Sequence, residues 1–418
     1  MWILYDLAFL VFSVISLPRL LKREWRRTLF ERSGRLPSSL AHPSSGARLW
    51  FHAVSLGEAL AARPLIERLR QEFPKVKLVF STTTLTGRSA LERFRRQDEP
   101  LFYFPFDFHL ITRRVLRQIR PSLFVTMETE LWPNLLLELR RQNIPSVVVN
   151  GRLSGRSFQS YRWVRLFLRP ALEGVSLFCM QTEEDAKRLE ALGVLRKKIH
   201  VVGNMKFDIL PKALSDPEAL RRRLGLKEED RLWVAGSTHR GEEAEILEAF
   251  RQLRLSQPTL KLLLAPRHPE RSQEVARLSE QKKLPSLFVS RLDSRMSPSV
   301  LILDTVGELS QVYRLATVVF IGGSLIAHGG QNPLEPAFFA RPILFGPHME
   351  NFKEIAALFL RHQAACQVRS RSDLVETLRQ LLGKEDQRRA MGKRAQQLVE
   401  QQKGATGRTV ACLRALIR

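Results

Sequence analysis

A carboxylate that can take a proton from an attacking hydroxyl stands at Glu58, in Ser55-Leu56-Gly57-Glu58. This segment leaves an apolar run, and its acid falls where a helix should begin. A base positioned there would accelerate a transfer reaction about 10²–10⁴-fold. The same S-x-x-E spacing describes a capping box, in which Glu58 bonds back to the N–H of Ser55. Glu128 and Glu130 leave a second apolar run in Met127-Glu128-Thr129-Glu130-Leu131-Trp132-Pro133-Asn134. The preceding strand reads as buried, so at least one of the two acids is expected to face a cleft. Arg152, after Asn150-Gly151, offers a cation or a surface ion pair. Lys206, in Gly203-Asn204-Met205-Lys206-Phe207-Asp208, either faces phosphate or developing negative charge or is simply solvated.

A second group of residues suits anion binding. Ser237 and Thr238 follow Ala235-Gly236 and either donate to phosphate or cap a helix that begins near Glu242. In Pro266-Arg267-His268-Pro269, an arginine pinned between prolines loses little entropy when it grips a phosphate. Val306-Gly307-Glu308 ends another strand, where a glycine lets backbone groups read a base edge or make a turn. The longest signal is the glycine-rich run from Gly322 to Pro336. It follows the apolar strand Val318–Ile321 and precedes Ala337–Ala340, which can open a helix. Asn332 suits an N-cap, Pro333 the first helical position and Glu335 the third, with Leu334 between them. Free N–H groups at such a start attract phosphate, and Glu335 could hold ribose hydroxyls. A capped turn needs no more than this, because a glycine-rich loop alone is a weak signal.

Short apolar runs alternate with helical patterns throughout, which predicts α/β layers with parallel sheets. The expected strands are Leu49–Val54, Lys77–Ser81, Leu123–Met127, Ser146–Asn150, Leu177–Met180 and His200–Val202 in the first half. In the second they are Leu232–Ala235, Leu262–Ala265, Leu287–Ser290, Leu301–Asp304, Val318–Ile321 and Ile343–Phe345. Two doubly wound domains are expected, at 25–210 and 231–384. A charged stretch, 211–230, separates them, and a helical tail, 385–418, returns to the first. In such sheets ligands bind beyond the carboxyl ends of the strands, so the expected site is a cleft between the domains.

The chain has 418 residues, 44% of them hydrophobic, enough for two packed cores, and a formal net charge of +25. That balance implies an anionic partner. Residues 1–17 are apolar except for Asp6, Ser13 and Ser16, and Arg19, Lys22, Arg23, Arg26 and Arg27 follow. The charge lies on the wrong side for a signal peptide. The segment 1–24 is expected to anchor the protein on the cytoplasmic face of a membrane, its arginines on anionic lipid. The other reading is an amphipathic helix buried in the core or lying on the surface. Cys179, Cys366 and Cys412 have neither metal nor disulfide spacing, which fits a reducing compartment. There is no Walker loop, no His-Glu-x-x-His and no Asp-x-Asp. Neither a metal nor a cofactor is expected, and the charge is spread along the chain without a nucleic-acid motif.

Together these motifs are similar to those of the bacterial 3-deoxy-D-manno-octulosonic acid (Kdo) transferases of lipid A biosynthesis. The likeness runs over nearly the whole chain. It is carried by His52-Ala53-Val54-Ser55-Leu56-Gly57-Glu58, Glu128–Asn134, Asn150–Ser154, Lys206-Phe207-Asp208, Pro266–Arg271 and Gly322–Glu335. Pro336 departs from the alanine some members carry. The resemblance implies a GT-B fold of two Rossmann-like domains facing across a cleft. It implies a metal-independent, inverting glycosyltransferase of the inner membrane that moves Kdo from CMP-Kdo to a phosphorylated lipid A precursor of the lipid IVA type. It makes Glu58 the general base, and Glu128 and Lys206 stabilisers of the transition state. It places CMP on Pro266, Arg267, Val306, Gly307, Glu308, Asn332, Pro333, Leu334 and Glu335. Ser55, Arg152, Ser237, Thr238 and His268 are further candidates for the cleft. The competing classes are a GT-B enzyme using a UDP-sugar, a basic nucleic-acid binder and a lipid-binding protein without catalysis.

Overall fold

The computed structural model describes residues 5, 6, 10, 26, 28–40, 46–209, 216–293 and 296–417. The chain divides into two compact units, residues 1–209 with 402–418, and residues 210–401. The expected anchor, 1–24, lies outside the described residues except for Tyr5, Asp6 and Leu10. Among the described residues no helix is long and apolar enough to cross a membrane. Asp6 is held in the first unit. Its carboxylate accepts from Asn134 Nδ2 at 2.7 Å and lies 2.6 Å from His109 Nδ1.

The first unit carries seven parallel strands: β1 (Arg48–His52), β2 (Lys77–Thr82), β3 (Leu101–Tyr103), β4 (Leu123–Met127), β5 (Ser146–Gly151), β6 (Leu177–Met180) and β7 (Ile199–Val201). Their order is β3-β2-β1-β4-β5-β6-β7. The strands read as continuous apolar runs because both faces are covered. Leu49 and Phe51 point to one side, with Ala59, Ala62, Leu65 and Leu69 of the helix Leu56–Glu72. Trp50 points to the other, beside Phe102, Phe104 and Phe124. Each such fully buried side chain contributes roughly 1.5–3 kcal/mol.

The second unit repeats the plan with β8 (Arg231–Thr238), β9 (Leu260–Pro266), β10 (Ser286–Phe288), β11 (Val300–Ile302), β12 (Val318–Ile321), β13 (Ile343–Phe345) and β14 (Ala365–Gln367). Their order is β10-β11-β9-β8-β12-β13-β14, again all parallel. Trp233, Phe320 and Leu262 pack against Ile246, Phe250 and Leu253 of the helix Glu242–Arg254. Each sheet reverses its winding beside its first strand, between β1 and β4 and between β8 and β12. The loops leaving those four strands carry Glu58, Glu128, Ser237 and the glycine-rich run.

Two strands lack a sequence counterpart, β3 and β14. Both are three residues long and lie at a sheet edge, as do β7 and β10, which the sequence does indicate. The charged stretch expected as a linker contains the helix Pro217–Arg223, capped by Asp216, and belongs to the second unit from residue 216 on. The tail splits. The helix Glu385–Gln402 packs in the second unit, and only residues from 402 onward return to the first.

The returning helix Ala405–Leu413 buries Ala405, Val410 and Leu413 against the helix Leu56–Glu72 side of the sheet. Its Cys412 meets Cys179 of β6 thiol to thiol, a pairing the sequence spacing does not show. Asp208 fixes its start, accepting from Gly404 N and Thr406 N at 2.6 Å each. Replacing Asp208 with alanine leaves two amides without their acceptor, a cost of about 1–3 kcal/mol. We expect hydrogen exchange of the amides at 404–410 to accelerate at least tenfold in Asp208→Ala, with the strands β8 to β14 unchanged.

Candidate functional site

In the first unit, β1 ends at His52 and the chain turns through Ser55 into the helix Leu56–Glu72. Ser55 is an extended N-cap, and its hydroxyl accepts from Glu58 N at 3.4 Å. The return half of a capping box is not made to Ser55 N–H. Glu58 Oε2 accepts instead from Val54 N at 2.8 Å, and Oε1 from the Ser55 hydroxyl at 2.9 Å. The structural and chemical readings of this residue therefore share one geometry. Glu58 is 7% exposed, and burial pushes its carboxyl up to about 8, helped by the charges of Glu128 and Glu130. The two hydrogen bonds oppose the shift without cancelling it.

Glu128 continues the ladder, its N–H donating to Val149 O at 2.9 Å, but its backbone is left-handed at φ 52°. A glutamate in that region costs of order 1 kcal/mol. The conformation turns the chain sharply out of β4 and sets Glu128 and Glu130 beside Glu58. Burial, then Glu128, raises Glu130. Thr129 and Arg152 tie the loops after β4 and β5 together, with Arg152 N donating to Thr129 Oγ1 at 3.0 Å and the hydroxyl donating to Arg152 O. Asn150, also left-handed at φ 52°, accepts from Met205 N at 2.9 Å through Oδ1. That bond positions the turn Met205–Asp208, which carries Lys206, against the helix of Glu58. Ser55, Glu58, Glu128, Arg152 and Lys206 thus gather at the carboxyl ends of β1, β4, β5 and β7. His52, at the head of the sequence motif, is a core residue. It is fully buried against Phe104 at 4.0 Å, its Nδ1 on Ser81, and burial holds it neutral by pushing it down to about 3.

In the second unit, Ser237 is a third left-handed residue, at φ 57°, where β8 bulges against β9. Gly322 crosses it so closely that a Cβ there would lie 2.3 Å from Ser237 O. Thr238 is fully buried, and its hydroxyl has no partner among the described residues. Neither residue caps the helix Glu242–Arg254, which starts from Gly241 without a side-chain cap. The sequence reading missed the residue that organises this corner, Glu242. Its buried carboxylate accepts from Gly323 N at 2.6 Å, from Ser324 N and Leu325 N at 2.9 Å each, and from His239 N at 3.0 Å. The amides at 323–325 are therefore closed by an internal anion and are not free for phosphate. No local signal marks Glu242, which reads as an ordinary acid in a first helical turn.

The far end of the loop differs from expectation by one step. The helix runs Leu334–Phe338, with Pro333 at the cap position, and ends at left-handed Ala340. Asn332 Oδ1 accepts from Leu334 N at 3.0 Å, and its Nδ2 lies 3.3 Å from Glu335 Oε1. Burial raises the Glu335 carboxyl, with the charge of Arg267 opposing. Arg267 and His268 are exposed after β9, Arg267 N bonding to Thr238 O at 2.9 Å. The rings of His239 and His328 stack at 4.2 Å, with His268 at 6.0 Å from His239. Burial, then His328 and His268, pushes His239 down to about 4. Val306 and Gly307 are exposed on the loop after β11, and Glu308 pairs with Arg223. Pro266, Arg267, Ser237, Thr238, His268 and the 332–335 turn lie at the carboxyl ends of β8, β9 and β12. This is the end at which such a sheet binds nucleotides. Among the described residues no group of three or more His, Cys, Asp or Glu is placed to hold a metal ion.

A family model described as 3-deoxy-D-manno-octulosonic-acid transferase (kdotransferase) matches residues 27–209. The 3-deoxy-D-manno-octulosonic acid transferase of Haemophilus influenzae is 34% identical over 97% of this chain and 95% of its own. That of Bordetella pertussis is 35% identical over 92% and 90%. A glycosyltransferase structure from Rickettsia africae superposes with a TM-score of 0.57 at 10% identity, covering 90% of this chain and 100% of its own. The UDP-GlcNAc 2-epimerase of Neisseria meningitidis gives 0.56 at 13%, over 88% and 99%. At those identities the two structures share a fold with this chain.

The geometry sets two outcomes. In Glu242→Ala four amides lose their acceptor, and we expect the Gly323, Ser324 and Leu325 amides to lose hydrogen-exchange protection by at least 100-fold, about 3 kcal/mol. For Glu58 the sign follows from its raised carboxyl. Folding binds this proton more tightly, so the stabilisation is full below about 4.5 and lost as pH climbs through about 8. Glu58→Gln cannot ionise. Its melting temperature relative to the native protein should therefore rise across that interval and level off above it.

Proposed function

The chain belongs to the 3-deoxy-D-manno-octulosonic acid (Kdo) transferases, and from that premise we propose that it moves Kdo from CMP-Kdo to a lipid A precursor of the lipid IVA type, releasing CMP. In this reading the enzyme is an inverting glycosyltransferase that works without a metal or a cofactor. A sugar hydroxyl of the acceptor attacks the anomeric carbon of Kdo. The new C–O bond forms as the bond to the CMP phosphate oxygen breaks, and the hydroxyl proton passes to Glu58. Lys206 and Glu128 act on the charge that develops at the reacting centre. Arg267 meets the phosphate of CMP, with Pro266, the exposed backbone at Val306–Glu308 and the Asn332–Glu335 turn around the nucleoside. A nucleoside monophosphate carries fewer charges than a diphosphate, so a guanidinium can neutralise it on leaving. Ser55, Arg152, Ser237 and His268 complete the binding surfaces, whereas the side chain of Thr238 is fully buried and takes no part.

The observation that carries this reading is the Glu58 carboxyl, buried beside Glu128 and Glu130 and pushed up to about 8. A base with that affinity holds a proton far better than an ordinary glutamate does, which a poorly acidic hydroxyl requires. The acceptor is a phosphorylated lipid, so the reading places the protein on the cytoplasmic face of the inner membrane. Its +25 charge would lie against anionic lipid there, with residues 1–24 as anchor.

The test is transfer from CMP-Kdo to a lipid A precursor, followed by mass spectrometry of the lipid. We expect a mass gain of whole Kdo units and release of CMP, and no gain with UDP-sugars. Turnover should rise with pH and level off above about 8, and Glu58→Gln should lower it at least 100-fold while remaining folded. Retained turnover in that variant would reject Glu58 as the base.

A further inference from the structure

The helices Gly155–Trp163 and Arg165–Gly174 of the first unit meet at Val164 and form a projecting corner. Its apolar side chains point to solvent. Trp163 is 90% exposed, Leu166 82% and Phe167 60%. No residue of the helix Gly155–Trp163 is fully buried. Large apolar residues left this bare and this close together mark a surface that something covers. Four arginines surround them, at 156, 162, 165 and 169, and Glu173 is the one acid between residues 155 and 174. Arg169 pairs with Glu173 at 2.8 Å, with both side chains largely solvated. The corner is held firmly from beneath, since Phe158, Tyr161 and Leu168 pack on the sheet core that includes Leu153 and Phe178.

We propose that this corner inserts into the headgroup region of an anionic bilayer, with Trp163, Leu166 and Phe167 entering the acyl boundary and the arginines lying on the lipid phosphates. An interfacial segment needs an apolar tip, an aromatic at the boundary and basic residues flanking it, and all three are present within eight residues, 162–169. A protein partner would need acidic groups matched one by one to the arginines, whereas an anionic bilayer offers a continuous field to all of them. The placement also relates the corner to the chemistry. Tyr161, two residues before Trp163, feels the charge of Glu130, which raises its phenol after burial does. The same helix thus reaches from the acidic site to the exposed tip. This consequence, delivery of a lipid acceptor to Glu58, rests on the function proposed above. The membrane contact itself does not.

The test uses the full chain and vesicles of phosphatidylcholine with or without phosphatidylglycerol, with neither donor nor acceptor present. Brominated lipids quench tryptophans that enter the acyl boundary. Because the chain has 6 tryptophans, the reading is the difference between the native protein and Trp163→Phe. We expect quenching on anionic vesicles that is measurably smaller in Trp163→Phe, by the share of one tryptophan, with Trp2 and Trp25 of the proposed anchor kept in both proteins, and weaker vesicle binding in Trp163→Ser/Leu166→Ser/Phe167→Ser. Equal quenching in native and Trp163→Phe proteins would overturn the proposal, and so would unchanged binding by the triple variant. A vesicle-independent dimer abolished by the triple variant, without Trp163 quenching, would assign the corner to a second copy of the chain and also overturn it. A failed Kdo-transfer assay with intact vesicle binding would count against the proposed function alone.

Discussion

A carboxylate removed from water keeps its charge only to the extent that donors replace the water, and that constraint separates the two buried acids on which this protein is built. Glu242 receives four backbone N–H groups, from Gly323, Ser324, Leu325 and His239. Burial raises its carboxyl, and those four bonds oppose the rise. Glu58 receives one N–H, from Val54, and one hydroxyl, from Ser55. Two further carboxylates stand close enough to act on it. Burial is common to both residues. The number of donors and the sign of the neighbouring charge decide which one locks a loop and which one is pushed up to about 8.

The doubly wound sheet explains why both acids stand where they do. Each sheet reverses its winding beside its first strand, and the loops that leave the flanking strands diverge there. The divergence opens space above the sheet and leaves backbone amides without ladder partners, so carboxylates collect at these points. Three residues with left-handed backbones mark the same places: Glu128 after β4, Asn150 at the end of β5 and Ser237 in the β8 bulge. Among the described residues the other such residues outside glycine, Arg120, Asn143, Lys283, Ala340 and Gln363, all stand just past helix ends, where that conformation is ordinary. Strain placed away from helix ends, and only where candidate residues leave strands, belongs to the site's construction.

Much of this was legible in the chain. Twelve of the fourteen strands follow from short apolar runs, most plainly the central ones, because a strand covered on both faces must be apolar throughout. The cluster of Ser55, Glu58, Glu128, Arg152 and Lys206 follows from motifs at strand ends once the strands are taken as parallel neighbours. Edge strands β3 and β14 escape, while β7 and β10, equally short and also at edges, do not. Glu242 escapes for a deeper reason. Its partners lie some eighty residues away, and in a first helical turn its letter looks like any acid favoured by the helix dipole. His52 misleads in the opposite direction. A histidine at the head of a chemical motif invites a role, yet it sits fully buried between Phe104 and Ser81, and burial holds it neutral.

The glycine-rich loop shows how such a pattern divides its labour. Its first part, through Leu325, is spent on Glu242 and fixes the loop to the helix Glu242–Arg254. Gly322 is required because Ser237 O passes where a Cβ would stand, a demand of packing alone. The second part, at Asn332–Glu335, spends its polar groups on one another, with Asn332 bonded to Leu334 N and facing the buried Glu335 carboxyl. Anchoring the first part to Glu242 closes three of the loop's amides to any ligand, so only its far end could meet one.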